Sequence, residues 1–318
     1  MSRRFHKLAI GLGAMKGAST WLAYNLNRSD LVDMPPPKEL HYFHATARWR
    51  DDMTMKDKLR RLRPFRGWDG TYLAPEFRRE RQRTFLARAA APRKDLPELR
   101  QQRIARRMKE HRRWYERYAD GAPSADWYRS LFPRANEHVW ALDFSNTYGM
   151  LRQRDMTRAR DMAEEARAIC IMRNPYERLW SHIRFQARID GTFDALGATP
   201  PAELVRQARR LGVDRHSMYF PRLKRALDVF GPERLLVLTF DDIARDPGQV
   251  LDDVYRFLDI PPADRKGRAS KLLNVTPSLG APRGLFEEFE EIFAADLRRV
   301  ESLGYEIPGS WLSAPDRP

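Results

Sequence analysis

Four short apolar runs punctuate an otherwise polar chain: KLAIGLG at 7–13, HVWALDF at 138–144, AICIM at 168–172 and RLLVLTF at 234–240. Runs of this length, apolar without strict alternation, read as strands covered on both faces, as in a parallel sheet. Segments with helical spacing lie between them. Ser19 or Thr20 opens a helix that reaches about Asn27, and Asn174 followed by Pro175 is an N-cap and first-turn pair. The stretches 214–230 and 247–258 are also helical in pattern, with Pro221 placed to kink the former. Strands alternating with helices predict an α/β fold, a three-layer sandwich whose central parallel sheet is flanked by helices.

From about 47 to 118 the pattern changes, with many arginines and no strand signal. In 99–118 eight Lys/Arg stand against two Glu, while Ile104, Met108, Tyr115 and Tyr118 recur at near-helical spacing. That predicts an amphipathic helix. The region reads as an Arg-rich helical insertion within one domain spanning 1–318. It is either packed on the sheet with a solvated basic face or a cap toward a substrate or membrane. MPPPKEL at 34–40 reads as a rigid turn rather than a domain boundary.

Composition changes the picture in a few respects. With 318 residues, 42% hydrophobic and 11% aromatic, the chain can bury a substantial core and is not globally disordered. A net charge of +15 favours anionic partners: nucleotides, nucleic acid, acidic glycans or anionic lipid. The single cysteine, Cys170, excludes an internal disulfide and a multi-cysteine metal site, and within AICIM it reads as a buried small hydrophobe. The start, MSRRFHKLAIGLG, imitates a secretory leader. Its apolar run is short, however, and meets Lys16 without a small-residue cleavage pattern, so it reads as the first strand. No apolar stretch has membrane-spanning length. The expected setting is cytoplasmic, with the basic region available for peripheral contact with the inner face of a membrane.

The candidate chemistry begins at LGAMKGAST, 12–20. A strand feeding a tight loop, followed by a helix whose first N–H groups point back at the loop, makes an anion site. Gly17 permits close backbone approach, Ser19 and Thr20 offer hydroxyls, and Lys16 supplies a cation. A Walker-type loop places its lysine after the last glycine, whereas here Lys16 precedes Gly17. Two further stretches bear on the same crevice: PPPKELHYFH at 35–44, and IMRNPYERLWSHIRF at 171–185, which sets Arg173 at a strand end and Ser181 two turns into the next helix. Residues just past strand C-termini gather in one crevice of an open α/β sheet. Lys16, Lys38, Glu39 and Arg173 are thus expected to form a cationic pocket containing one carboxylate.

These stretches, in this order, resemble the sulfotransferase family that uses 3'-phosphoadenosine 5'-phosphosulfate (PAPS), in its carbohydrate-type or bacterial branch. Lys16-Gly17-Ala18-Ser19-Thr20 resembles the 5'-phosphosulfate motif Lys-x-Gly-Thr-Thr, KELHYF resembles a Lys-Glu-x-x-Phe-Phe stretch, and RNPYERLWS resembles the 3'-phosphate motif. The segment 216–260 is similar to the C-terminal half of that family. There are departures: Ala18 stands for the usual glycine, Ser19 for the first threonine, and Asn146 in DFSNTY for a proline.

The resemblance implies a P-loop-like fold and sulfuryl transfer from PAPS to an acceptor hydroxyl or amine, on a carbohydrate or glycolipid, releasing PAP. Lys16, Gly17, Ala18, Ser19, Thr20, Trp21, Arg173, Ser181 and Tyr219 would hold the donor. Arg283, in the segment 273–284, would be a further 3'-phosphate contact. Lys16 would neutralise the leaving oxygen, Lys38 orient the sulfuryl group, and Glu39 act as general base, with His41 the alternative. Asp143 and Tyr148 would line the acceptor side. Arg178, by its place in the helix that Asn174 opens, reads instead as a helix-surface residue. Such chemistry needs no metal, and no carboxylate pair for Mg²⁺ stands out in the sequence. A P-loop kinase and a basic nucleic-acid-binding protein are the competing readings. So is a degenerate sulfotransferase-like protein that only binds a partner. The lysine order argues against the kinase, and no nucleic-acid module is found.

Overall fold

The computed structural model describes residues 4–47, 73–90, 98–262 and 279–315. Its centre is a five-stranded, all-parallel sheet of order β2-β3-β1-β4-β5. The strands are β1 (Phe5–Gly11), β2 (Val32–Asp33), β3 (Trp140–Asp143), β4 (Ala163–Met172) and β5 (Leu235–Thr239). Each apolar run of the sequence lies in a strand or extends one. The two-residue edge strand β2 carries too little pattern to be read. Side chains alternate across the pleat: Leu8, Ile10, Ala168, Cys170 and Met172 enter one core cluster, and Ala9, Ile169 and Ile171 the other. Helices close both faces. Helix α1 (Ser19–Leu26) contributes Trp21, Leu22 and Leu26 to the second cluster.

The helical expectations largely hold, with one correction. Residues 214–230 are not a single kinked helix: a 3₁₀ turn, Asp214–Ser217, precedes a helix Phe220–Phe230. Pro221 lies in that helix's first turn, where its missing N–H costs nothing. In the 47–118 region the described parts are two helices, Pro75–Ala90 and Glu98–Asp120. Ion pairing of Glu80 with Arg83, and exposed Glu110, Glu116 and Asp120, leave the described outer face mixed in charge. The inner face is aromatic: Trp114 stacks on Tyr118 at 5.0 Å between ring centres, and Phe85 on Tyr115 at 4.5 Å. Met108 is half-buried, and the side chain of Ile104 lies outside the described residues, as do 273–278 of the segment that carries Arg283. No helix among the described residues is long and apolar enough to cross a membrane.

Strand order positions the site. From β1 the chain runs outward to β2 and returns to β3 on one side, then places β4 and β5 on the other. The segments leaving β1 and β4 therefore diverge at a topological switch point, where open α/β sheets bind ligands.

Candidate active site

The loop from Leu12 to Ala18 extends the ladder of β1 beyond the strand. Leu12 N donates to Ile169 O, Ala14 N to Ile171 O, and Ile171 N to Gly13 O, all at 2.8–2.9 Å. Gly17 N then turns back to Ala14 O at 3.0 Å. A Cβ on Gly17 would meet Ile171 O at 3.0 Å and Ala14 O at 3.1 Å, so the glycine is needed for this approach. Ala18 is the N-cap of α1 in left-handed geometry, φ 69°, and has no side-chain oxygen to cap the helix. The first N–H groups of α1 receive no side-chain cap from it, as an anion cradle requires.

Four non-glycine residues among those described have positive φ: Lys16, Ala18, His41 and Asp259. Three belong to the two stretches already singled out. Left-handed geometry costs an L-residue roughly 1–2 kcal/mol, and such strain gathers at functional sites.

The second stretch folds against the loop. Lys38 Nζ donates to Ser19 Oγ at 3.1 Å and pairs with Glu39 Oε1 at 2.8 Å. One ammonium group thus touches both the anion loop and the carboxylate. His41 is fully buried, its Nε2 3.4 Å from Glu39 Oε2 and its Nδ1 2.8 Å from Thr147 Oγ1. Burial works against the Glu39 anion, but the His41 hydrogen bond and the Lys38 charge outweigh it and bring its pKa to about 2. Burial lowers His41 against the pull of Glu39. Beneath them, His41 N donates to Ser145 Oγ, which donates to Asp143 Oδ1; Tyr148 and Tyr128 hydroxyls donate to Asp143 Oδ2. Burial pushes Asp143 up to about 6 despite these bonds. Asp143 and Tyr148 are wholly buried, so they brace the site from below rather than line an acceptor surface. The helical region reaches the same place: Arg81 donates to the Glu39 carbonyl at 2.8 Å.

The third stretch begins at the end of β4. Asn174 caps helix α2 (Pro175–Ile189), accepting from Tyr176 N and Glu177 N. Arg173 donates to Lys16 O at 3.3 Å, pairs with Glu177 at 2.9 Å and lies 4.5 Å over the Phe240 ring. The structure therefore joins the first and third stretches as it joins the first and second. Lys16 Nζ rests 4.6 Å over Phe185, and burial together with the charges of Arg173, Arg184 and Arg188 lowers its pKa. Tyr219 is buried under Arg173, its hydroxyl accepting from Arg173 N and donating to Arg173 O. Trp21, 1% exposed, packs in the core. Ser181 is buried on α2, and Arg283 is exposed on the segment 279–284, which Trp180 Nε1 anchors by donating to Leu279 O at 2.6 Å.

Arg178 is not a surface residue. It is fully buried, donating to Ser217 Oγ, Val213 O and, at 3.4 Å, Met15 O, with His182 Nδ1 3.1 Å away. Burial lowers its pKa to about 9. Its place one turn from the Asn174 cap gave a surface reading because the pattern could not show that residues 213–217 cover that face.

The sequence matches the family described as a sulfotransferase domain over residues 99–275, and the chain belongs to that family. It is a sulfotransferase. Among solved structures, the sulfotransferase from Alicyclobacillus acidocaldarius is 22% identical, covering 98% of this chain and 99% of that one, with a TM-score of 0.57. The sulfotransferase domain of the Synechococcus PCC 7002 olefin synthase is 18% identical over 96% of this chain and 98% of that one, TM-score 0.53. The sulfotransferase domain from the curacin biosynthetic pathway is 20% identical over 96% and 100%, TM-score 0.53. These likenesses establish the fold. None of the curated proteins matches the sequence.

Proposed function

We propose that the chain moves the sulfuryl group of PAPS onto an acceptor hydroxyl or amine of a carbohydrate or glycoconjugate, with Glu39 as general base. The observation that carries this is the Lys38 bridge, 3.1 Å to Ser19 of the anion loop and 2.8 Å to Glu39. A sulfuryl group seated at the loop would lie within reach of Glu39. The acceptor oxygen attacks sulfur in line as the bond from sulfur to the phosphate oxygen breaks and PAP leaves. The acceptor proton passes to Glu39. Lys16 and the N–H groups at the start of α1 meet the charge growing on the leaving oxygen. A carboxylate with a pKa of about 2 is a weak base while Lys38 is paired with it. Transfer of Lys38 from Glu39 to the sulfuryl oxygens would raise that basicity as the donor arrives. His41, fully buried, holds the second carboxylate oxygen and is placed to orient Glu39 rather than to meet the acceptor.

The test is transfer of radiolabelled sulfate from PAPS to glycan, lipid and phenol panels. Glu39→Gln is expected to abolish turnover while PAP still binds. Turnover at the wild-type level in that variant would overturn the base assignment.

A further inference from the structure

The cations around the loop outnumber those that the recognised motifs account for. Along α2, Ser181, Arg184, Phe185 and Arg188 fall at i, i+3, i+4 and i+7, one stripe of the helix. Lys16 rests on Phe185 of that stripe. Arg184 is half-buried, its guanidinium 5.8 Å from the Trp180 ring, and Trp180 in turn holds the segment that begins at Leu279. On the helix surface Arg184 therefore lies between Ser181 and Trp180. Arg173 and Arg184 are close enough that each charge acts on Lys16, and that of Arg173 on Arg184.

Charge balance then decides what Arg184 serves. A 3'-phosphate is a monoester carrying close to two negative charges at neutral pH. Arg173 alone cannot balance it, because Glu177, at 2.9 Å, already neutralises part of its charge. Ser181 contributes a hydroxyl and no charge. A second cation is needed; Arg283 is exposed on the segment 279–284, whereas Arg184, half-buried, stands a single turn beyond Ser181 on the same helix stripe.

We propose that Arg184 binds the 3'-phosphate of the donor and so sets donor specificity. The proposal rests on the PAPS reading above. PAP and adenosine 5'-monophosphate differ by that phosphate alone, so the ratio of their affinities isolates it. Calorimetric titration of both ligands into wild type, R184Q, R184E and R188Q tests the assignment. In R184Q the affinity for PAP should fall by about tenfold or more, as loss of a charge-assisted contact implies, with the monophosphate changed by less than about twofold. R184E should weaken PAP further, and R188Q, exposed and one turn on, should cost less than R184Q. An unchanged ratio in R184Q overturns the proposal, as does an equal loss for both ligands or an R184E no weaker than R184Q. A wild-type ratio near one would instead overturn the PAPS reading itself. Because Arg184 is half-exposed, circular dichroism melting should show all variants folded. If R184Q does not fold, R184K decides: it keeps the charge but loses the planar fork, so PAP affinity should fall while that for the monophosphate changes by less than about twofold. An equal change for both ligands overturns the proposal.

Discussion

Gly17 and Ala18 are adjacent on the anion loop, and at both a side-chain methyl works against the backbone, by contact at Gly17 and by left-handed strain at Ala18. An added Cβ at Gly17 would sit 3.0 Å from Ile171 O and 3.1 Å from Ala14 O. Both oxygens are tied down, the first accepting from Ala14 N at 2.9 Å and the second from Gly17 N itself at 3.0 Å. Backbone must therefore move, and overpacking of this kind costs about 1–3 kcal/mol. At Ala18 the φ of 69° costs roughly 1–2 kcal/mol. Glycine there removes that strain but gains unfolded-state entropy worth about 0.4–1 kcal/mol. Ala18→Gly should thus range from neutral to about 1.6 kcal/mol more stable. Urea unfolding at constant slope reads the stability, and PAP titration reads the loop. Gly17→Ala should lower the midpoint and weaken PAP by about tenfold, the loss that a 1.4 kcal/mol distortion implies. Ala18→Gly should keep PAP affinity. A clearly destabilised Ala18→Gly, or a Gly17→Ala with wild-type midpoint and affinity, would refute the steric reading of this loop.

Three further predictions concern charge. Lys38→Met removes the ammonium that helps hold Glu39 at about 2, so the acid limb of kcat/KM should move upward toward the ordinary carboxylate range of 4.5; a limb that stays put contradicts the pairing. Asp143 is raised from 3.8 to about 6, so its protonated form is favoured in the folded state. Its contribution to stability is full below 3.8 and is lost as pH rises through about 6; Asp143→Asn should flatten that part of a stability-versus-pH curve measured by urea midpoints. Arg178→Met strands Val213 O in the interior, leaves Ser217 Oγ only its bond to Pro175 O, and should cost about 1–3 kcal/mol by urea unfolding, while also weakening PAP through the lost Met15 contact.

Much of this organisation was legible along the chain. The apolar runs mark β1, β3, β4 and β5 because a strand covered on both faces must be apolar at successive positions, and that leaves a mark in sequence. Asn174-Pro175 announces its helix because a cap is local chemistry, settled by residues within one turn. The Arg-rich segment could be read as helical but not as to its partners. Trp114, Tyr115 and Tyr118 pack inward, while Arg81 reaches Glu39, and no periodicity encodes those long-range contacts. Strand β2 leaves no mark in the sequence, since two residues carry no pattern.

The sequence by itself determined the alternating architecture, the three stretches that make up the candidate site and the membership of the family. Only the tertiary structure decided their relations. Lys38 turns toward both Ser19 and Glu39 because the turn before it is not an extended strand, in which neighbouring side chains would have diverged. Asp143 and Tyr148 became supports, and Arg178 a buried brace, because burial is set by what packs over a residue from distant parts of the chain. The positive φ of Lys16, Ala18 and His41 is likewise invisible in sequence, since it exists only where the surrounding fold holds the backbone in place.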